Sequence, residues 1–435
     1  MTSYPIDLWQ RNPMNRIKNI FFRVRSKIAF YPTIISTAGI LVAFVLMYLE
    51  QQHISEYLMD IAPVLVIDNT ETARTLLSTL IGGLISLMVF SFSMVMILLN
   101  QASSNFSPRV LPGIISDEKH QIVLGLYLAV ILYNIFILVS IEPTNYSYQT
   151  PGFSVLIAII LTVICLASFI YFIHNISQSI QVGTILYSIH SKTKERLLKI
   201  MREETKKSLE FPEANNWTYL LLDTTGYFQG ILKDDLLDIC IENELKIALV
   251  IRKGQFIMRD QEGILVNKPT SEEIKGKILK TLIISKEELT GENYIYGFRQ
   301  ISEIGIKAMS PGINDPGTAL NSIDYLTELF TYLMQTNGYE YLTDVEGNNQ
   351  VRIIRNTFAE VLYNVLATYR PYCSHDIMVT GKLLNMLTSL GERNLNSEQS
   401  DAIRLETDNL KGDMEKLIKN QRDLDQLREG FHSWS

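Results

Sequence analysis

The chain has 435 residues, of which 47% are hydrophobic and 20% are charged, and its formal net charge is −7. This acidic balance argues against nucleic acid as a partner, and the length allows two or three domains. The three cysteines (Cys165, Cys240 and Cys373) lie far apart, which argues against a disulfide framework and indicates a reducing compartment.

Four apolar stretches lie within the first 173 residues. A membrane-spanning helix needs about 20 mostly apolar residues. None of the four carries an Asp, Glu, Lys or Arg in its interior. A buried soluble helical bundle is the alternative, but four such runs in succession favour a transmembrane domain. The predicted spans cover residues 30–49, 76–99, 122–141 and 153–173 within a transmembrane domain of residues 30–173.

Basic residues near the span ends predict the orientation of the chain. Lys and Arg are frequent before the first span and after the fourth, whereas residues 142–152 contain neither. We therefore expect both termini in the cytoplasm. Residues 1–29 form a basic segment in which apolar residues recur at helical spacing. This amphipathic segment is expected either on the inner leaflet or packed on the protein's own cytoplasmic domain.

A polar stripe runs along the second predicted span. Its members recur every seven residues, which keeps them on one slowly drifting face of a helix over a length of about 31 Å. They are Thr79, Ser86, Ser93 and Asn100. One interpretation is that small hydroxyl side chains let neighbouring helices approach and hydrogen-bond. The other is that the stripe lines a water-filled path between several copies of the chain. No charged residue is present for a proton relay.

Polar residues also follow the second and fourth spans, where we expect the cytoplasmic mouth of such a path. They are Gln101, His174 and Gln178. The helical pattern of the fourth span continues without proline, which predicts a helical stalk over residues 174–210. His174 is a candidate pH-sensitive group, with an interfacial histidine as the simpler interpretation.

The periodicity then changes to that of a small β-rich module. Short apolar runs separated by Gly turns predict five strands within residues 211–268, with one short helix opened by Asp234 or Asp235. Such a module suggests a small β-barrel or sandwich. The remainder, residues 269–435, is predicted as a helical cytoplasmic part. The predicted fold class is thus membrane α+β, with four transmembrane helices followed by a cytoplasmic domain.

Residues that favour turns are concentrated at one helix junction, in the stretch KAMSPGINDPGTALNSID of residues 307–324. Ser310 is expected to end one helix, and Asp315 to cap the next, with Pro316 at its first position. A tight helix–loop–helix corner explains most residues of the stretch. Asn314 is the residue that it explains least. The alternative is that Ser310, Asn314 and Asp315 form a loop that binds an anion or a partner.

Motifs for catalysis or metal binding do not emerge. The run CSHD at residues 373–376 combines possible ligands, but it follows Arg370-Pro371, which we expect to end one helix, and Ser374 is better explained as the cap of the next helix. Adjacent acidic residues do not share a helical face. We therefore predict no catalytic residue, no metal site and no cofactor.

Several of these stretches together resemble a family of bacterial multi-pass membrane proteins catalogued only as a domain of unknown function. The resemblance rests on GFRQISEIGIKAMSPGINDP, TGYFQG, NQASSNFSPRVL and IYFIHNISQSIQ, and it covers most of the chain. It implies a bacterial inner-membrane protein and supplies no activity, substrate or catalytic residue.

The sequence favours a homo-oligomeric, channel-like protein in the lipid bilayer, with the second span near the axis and the cytoplasmic domain regulating it. An ion or a small solute would then be its cargo. The alternative is a non-conducting scaffold or envelope sensor that acts through partners bound near the corner. An enzyme is disfavoured, because no nucleophile, base or metal set can be assembled.

Overall fold

The computed structural model describes residues 30–52, 54–55, 57, 67, 69–105, 118–141, 151–179, 181–204, 210–286 and 293–429, without the side chains of 99, 101–105, 118 and 177–179. The chain folds as two units that divide between Gln181 and Val182. The predicted amphipathic segment of residues 1–29 lies outside the described residues.

The first unit contains four long apolar helices, each long and apolar enough to cross a membrane. This confirms the four predicted apolar helices. The second begins earlier and ends later than its predicted span, because Thr, Arg and Asn residues extend the helix beyond the apolar run. The helices are α1 (Phe30–Gln51), α2 (Thr70–Asn105), α3 (Glu118–Ser140) and α4 (Gly152–Ser179).

Helix α3 is the centre of this bundle and packs against each of the other three helices. Close packing with α1 depends on small residues: a Cβ added to Gly39 would lie 2.7 Å from the backbone oxygen of Ala129. Helix ends meet through polar contacts. The backbone N–H of Ser154, in the first turn of α4, donates to Oε1 of Glu50 at 2.8 Å. A carboxylate at a helix N-terminus is favoured by the helix dipole.

The predicted uninterrupted helix beyond the fourth span is not observed. Helix α4 ends at Ser179, and α5 (Val182–Glu204) begins as a separate helix. Helix α5 belongs to the second unit, where one of its faces is buried. A face containing Leu186, His190 and Leu197 packs on two later helices. Residues 182–204 are therefore part of the second unit's core and do not form a free stalk.

Eight strands and eight further helices complete the described part of the second unit. The strands are β1 (Thr218–Leu221), β2 (Gly226–Ile231), β3 (Ile247–Leu249), β4 (Phe256–Ile257), β5 (Glu262–Val266), β6 (Leu282–Ser285), β7 (Tyr339–Thr343) and β8 (Asn349–Ile354). The helices are α6 (Lys233–Glu242), α7 (Glu272–Lys280), α8 (Tyr294–Ala308), α9 (Pro316–Leu333), α10 (Phe358–Cys373), α11 (Ile377–Gly391), α12 (Ser397–Leu417) and α13 (Gln421–Glu429).

The strands form two separate sheets, in the orders β1-β5-β3-β8-β7 and β4-β2-β6. The five predicted strands and the short helix α6 are present, but β1 and β2 belong to different sheets and do not form a hairpin. Strands β6 to β8 lie within the region that we predicted as helical. Strand β3 carries the buried residues Ile247 and Leu249. It pairs with β5 on one edge and, in parallel, with β8 on the other. The β-rich module is therefore completed by a hairpin from much later in the chain.

Helices α8, α9 and α10 form the helical core of the second unit. Phe298, Phe330 and Phe358, one from each helix, contact one another in sequence, with ring centroids 4.9 and 5.7 Å apart in a tilted and an edge-to-face pair. Glycines in α8 permit close approach: a Cβ on Gly305 would lie 2.2 Å from the Tyr369 hydroxyl. That hydroxyl is hydrogen-bonded to Ser322 at 2.7 Å.

Candidate functional site

The predicted polar stripe lies on the exposed face of α2. Thr79, Ser86, Ser93 and Asn100 are all exposed. The three hydroxyls donate to the carbonyl oxygens four residues earlier, at 2.8, 2.9 and 2.9 Å. Their hydrogen bonds are thus satisfied within α2, and their oxygen lone pairs remain open to a neighbour. We call these four residues the outward stripe.

The opposite face of α2 carries a second row with the same seven-residue spacing. Its members are buried within the bundle: Leu77, Leu84, Ser91 and Leu98. Two residues separate the two rows, which corresponds to about 200° around an α-helix. The four-helix bundle therefore uses this buried row for its own packing and leaves the outward stripe on its surface.

Small residues lie beside the outward stripe. A Cβ added to Gly82 or Gly83 would meet nothing within 4 Å. These glycines are not required for packing within the described part of the chain. A surface of glycine and small hydroxyl residues lets another transmembrane helix approach closely, as in small-xxx-small motifs.

The predicted mouth residues are only partly described. His174 is exposed on α4, whereas Gln101 and Gln178 lie in α2 and α4 at positions where the side chains are not described. Near the same end of the bundle, His120 is buried and its Nε2 lies 3.2 Å from the side-chain nitrogen of Asn175. Asn175 directly follows His174 on α4.

Helix α3 carries a buried polar row that we did not predict from the sequence. His120, Tyr127 and Asn134 recur every seven residues and face the interior, with exposures of 4%, 0% and 0%. The amide of Asn134 has no hydrogen-bond partner among the described residues. The spacing of these three residues is visible in the sequence. The signal was missed because the apolar residues around them dominate the span.

The corner at residues 310–315 is a rigid, exposed turn. The carboxylate of Asp315 caps α9 by accepting from the backbone N–H of Thr318 at 3.1 Å and from its hydroxyl at 2.5 Å. The hydroxyl of Ser310 donates to the carbonyl of Lys307 at 2.7 Å. Asn314 has a φ of 50°, in the left-handed region that Asn tolerates well. The backbone thus explains Asn314, contrary to our expectation.

Asp315 also bears on the predicted anion loop. Its carboxylate occupies the position at the α9 N-terminus where an external anion would accept hydrogen bonds. Pro311, Gly312 and Ile313 are exposed on the same turn. The exposed surface of the corner is therefore better suited to a protein contact than to a free anion.

An ion-pair network holds α5 against the β7–β8 hairpin. Arg355, which follows β8, contacts the carboxylate of Glu204 at the end of α5 and that of Glu340 on β7. Lys233 reaches Glu340 at 2.5 Å. Burial raises the pKa of Glu204 above its ordinary value. Burial would also raise the pKa of Glu340, but the charges of Arg355 and Lys233 together hold it below the ordinary value.

A second polar cluster joins α5 to α9. His190 is buried, its Nε2 lies 2.9 Å from the carboxylate of Glu328, and its ring stacks on Tyr325 at 4.7 Å. Lys194 donates to the same carboxylate at 2.6 Å. Burial lowers the pKa of His190, and this effect outweighs the attraction of Glu328. The imidazole is therefore neutral at pH 7.

The CSHD run has a structural role that differs in detail from our prediction. Helix α10 continues through Pro371 to Cys373, and Ser374 follows as its C-cap instead of capping the next helix. Asp376 caps α11 by accepting from the backbone N–H of Val379 at 2.9 Å. Within the described ranges, no group of three or more His, Cys, Asp and Glu side chains could hold a metal ion.

Comparison with sequence families matches residues 25–389 to the family described as "Predicted membrane protein (DUF2254)". The uncharacterized proteins Mb1321c of Mycobacterium bovis and Rv1290c of Mycobacterium tuberculosis are each 24% identical to the chain over 345 residues. The matches cover 76% of the chain and 66% of each relative, slightly less than two thirds of the relatives' length. No solved structure matches the chain.

Proposed function

The chain belongs to the family of predicted membrane proteins matched over residues 25–389, and we propose on that premise that its copies assemble into a channel-like pore. The outward stripe of α2 would line the path between protomers, and the second unit would regulate it. An ion or a small solute would be the cargo. Both termini would lie in the cytoplasm of a bacterium, with the four helices in the inner membrane, as the distribution of basic residues favours.

The observation that carries this proposal is the exposure of the whole outward stripe. Thr79, Ser86 and Ser93 turn away from the bundle, whereas the row of Leu77, Leu84 and Leu98 packs into it. Polar side chains are disfavoured in contact with lipid, and transmembrane helices direct them towards other helices or towards water. A second copy, or a hydrated path between copies, provides either environment.

The chemistry of the stripe supports passive conduction. Between Thr75 and Asn100, α2 carries no Asp, Glu, Lys or Arg. Coupled transport of protons usually depends on ionisable residues within the membrane. Hydroxyl and amide groups can replace part of the hydration shell of an ion without binding it so tightly that it cannot leave.

A scaffold or envelope sensor is the second candidate, and the corner at residues 310–315 supports it. Ile313 is 39% exposed on a turn whose backbone is held by capping hydrogen bonds at both ends. A rigid, exposed turn needs little ordering when a partner binds, which favours recognition. In this case the outward stripe would pack dry against helices of other copies.

The test is ion flux through vesicles that contain the purified full-length protein. We expect the double variant Ser86→Leu, Ser93→Leu to reduce the flux at least tenfold, because two leucines narrow and dry the path. Ser78→Leu is the matched control, since Ser78 is exposed on α2 about 100° away from Thr79 and should leave the flux unchanged. Equal flux in the wild type, the double variant and protein-free vesicles would refute the pore and leave the scaffold.

A further inference from the structure

A cavity of about 370 Å³ lies within the second unit, apart from the residues discussed for the pore. Its walls come from α5, strands β2 and β6 of the three-stranded sheet, β7 and the end of β8, with further residues from the starts of α6 and α8 and from the loop between β3 and β4. The volume is within the range of small-molecule sites, which runs from about 300 to 1,000 Å³. It is too small for a folded protein element and suits one compact organic molecule.

Cationic side chains dominate the charged lining of this cavity. Five basic residues line it, from four different parts of the fold: Arg196, Lys199, Lys233, Lys253 and Arg355. Two carboxylates, Glu203 and Glu340, accompany them, so the formal charge of the lining is five minus two, or +3. The chain as a whole carries −7. The positive charge is therefore concentrated here against the overall balance.

Part of this charge is held in place by the network described above. Lys233 and Arg355 both contact Glu340, which fixes their positions at one side of the cavity. Lys199, on α5, makes no ion pair with any residue in the described ranges, and its side chain is exposed. A ligand in the cavity would therefore meet two cations held by Glu340 and one lysine whose charge is not paired within the described residues.

Apolar residues form another part of the lining. Phe228, Ile231 and Ile353 are buried residues that contribute to the cavity wall, and Tyr294 lies beside them. The Tyr294 hydroxyl donates to the carbonyl of Asn356 at 3.2 Å, which holds the ring in position. The combination of cations with an apolar wall suits a ligand that has an anionic group and an uncharged organic body.

The basic surface continues along α5 outside the cavity. Lys192, Lys194 and Arg202 lie on the adjoining groove, which Arg196 and Lys199 share. Glu195 is the acidic residue of that groove. A positively charged surface that leads into a cleft attracts an anionic ligand and raises its association rate.

We propose that this cavity binds a phosphate-bearing organic anion of about the size of a mononucleotide. Phosphate esters carry up to two negative charges at one group and accept several hydrogen bonds, which matches the excess of three cations in a confined volume. Because the cavity includes α5, which follows α4 directly in the chain, ligand binding would stabilise the helix nearest in sequence to the fourth span. The site does not depend on the pore and is tested without it.

The experiment is calorimetric titration of the full-length protein in detergent with AMP, ATP, inorganic phosphate and adenosine. We expect AMP and ATP to bind, with affinity that falls as ionic strength rises, and adenosine not to bind. The double variant Lys199→Gln, Lys253→Gln should weaken AMP binding at least tenfold. Lys275→Gln is the matched control, because Lys275 lies on α7 and does not line the cavity.

Three outcomes would overturn the proposal. In the first, neither nucleotide binds at millimolar concentration. In the second, Lys275→Gln weakens binding as much as the double variant does, which indicates nonspecific attraction to surface charge. In the third, the protein binds micelles that contain phosphatidylglycerol but binds neither nucleotide. That result would identify a lipid headgroup as the source of the phosphate. Thermal unfolding of each variant shows whether it is folded, and vesicle flux plays no part in the result.

Discussion

The guanidinium of Arg355 lies 3.2 Å from the carboxylate of Glu340 on the neighbouring strand, and it also contacts Glu204 at the end of α5. The side chain of Arg355 is 11% exposed, and those of Glu204 and Glu340 are 12% and 21% exposed. One buried cation therefore connects a helix and a hairpin that are separated by more than a hundred residues. Removal of one partner from such a cluster leaves buried charge uncompensated.

We predict that Arg355→Met lowers the free energy of unfolding of the second unit by about 3 kcal/mol, because Glu204 and Glu340 both lose the guanidinium and only Glu340 keeps a second cation, Lys233. Denaturant unfolding can be followed by the fluorescence of Trp217 after Trp9 and Trp434 are replaced by Phe. Arg404→Met is the control, since the Arg404–Asp401 pair is exposed and worth about 0.5 kcal/mol or less. Similar losses in both variants would contradict a special role for Arg355.

Stability of the second unit should depend on the protonation of His190. Burial lowers the pKa of His190 below 6.5, so the unfolded chain binds its proton more readily than the folded one. Stability is then complete above pH 6.5 and decreases as the pH falls through the lowered pKa. We expect a lower unfolding midpoint at pH 5.5 than at pH 7.5.

The variant His190→Gln should remove this part of the pH dependence, because a neutral amide cannot be protonated there. The same replacement at His375, which is exposed, provides the control. It should leave the dependence of the unfolding midpoint on pH unchanged. If the unfolding midpoint of both variants falls between pH 7.5 and 5.5 as much as that of the wild type, another group is responsible for the pH dependence.

Gly297 should be intolerant of any side chain. A Cβ at this position of α8 would lie 1.8 Å from Oγ1 of Thr193, a buried residue of α5. We predict that Gly297→Ala destabilises the second unit by about 2 kcal/mol through overpacking. Gly276→Ala in α7 should instead add about 0.5–1 kcal/mol, because nothing lies within 4 Å and alanine favours a helix. A neutral Gly297→Ala would show that α5 and α8 are less closely packed.

The corner should tolerate glycine at residue 314 and reject valine. Asn314 has a φ of 50°, which glycine adopts freely and a β-branched residue does not. Asn314→Gly is expected to change stability by less than about 0.5 kcal/mol, and Asn314→Val to cost about 1–2 kcal/mol. Denaturant unfolding of the two variants side by side is the measurement. Equal stability would argue against a left-handed backbone at this position.

Cysteine cross-linking can show whether the outward stripe meets another copy of the chain. Cys165, Cys240 and Cys373 are buried, so they should contribute little background. Under mild oxidation we expect disulfide-linked dimers from Ser86→Cys and no dimers from Leu84→Cys, whose side chain would face the bundle interior. Dimers in neither variant, or in both to the same extent, would count against assembly through this face.

Sequence periodicity predicted several parts of the site because the signals are local. The cap at Asp315 was predicted correctly, since the chemistry of a helix start depends on neighbouring residues. The outward stripe was predicted as one helical face. Asn314 was misjudged, because a backbone dihedral is not visible in the residue types alone. The pairing of Arg355 with Glu204 was not predicted, because nothing local links residues 151 positions apart.

By itself, the sequence determined the four apolar helices and the small strands before residue 268, since length, hydrophobicity and turn residues act over short distances. Only the tertiary structure decided which face of α2 is packed, where α5 belongs and how β8 joins β3. The physical reason is that burial is a property of surfaces brought together from distant positions. A periodic pattern defines the faces of a helix, but the neighbouring elements determine which of those faces are buried.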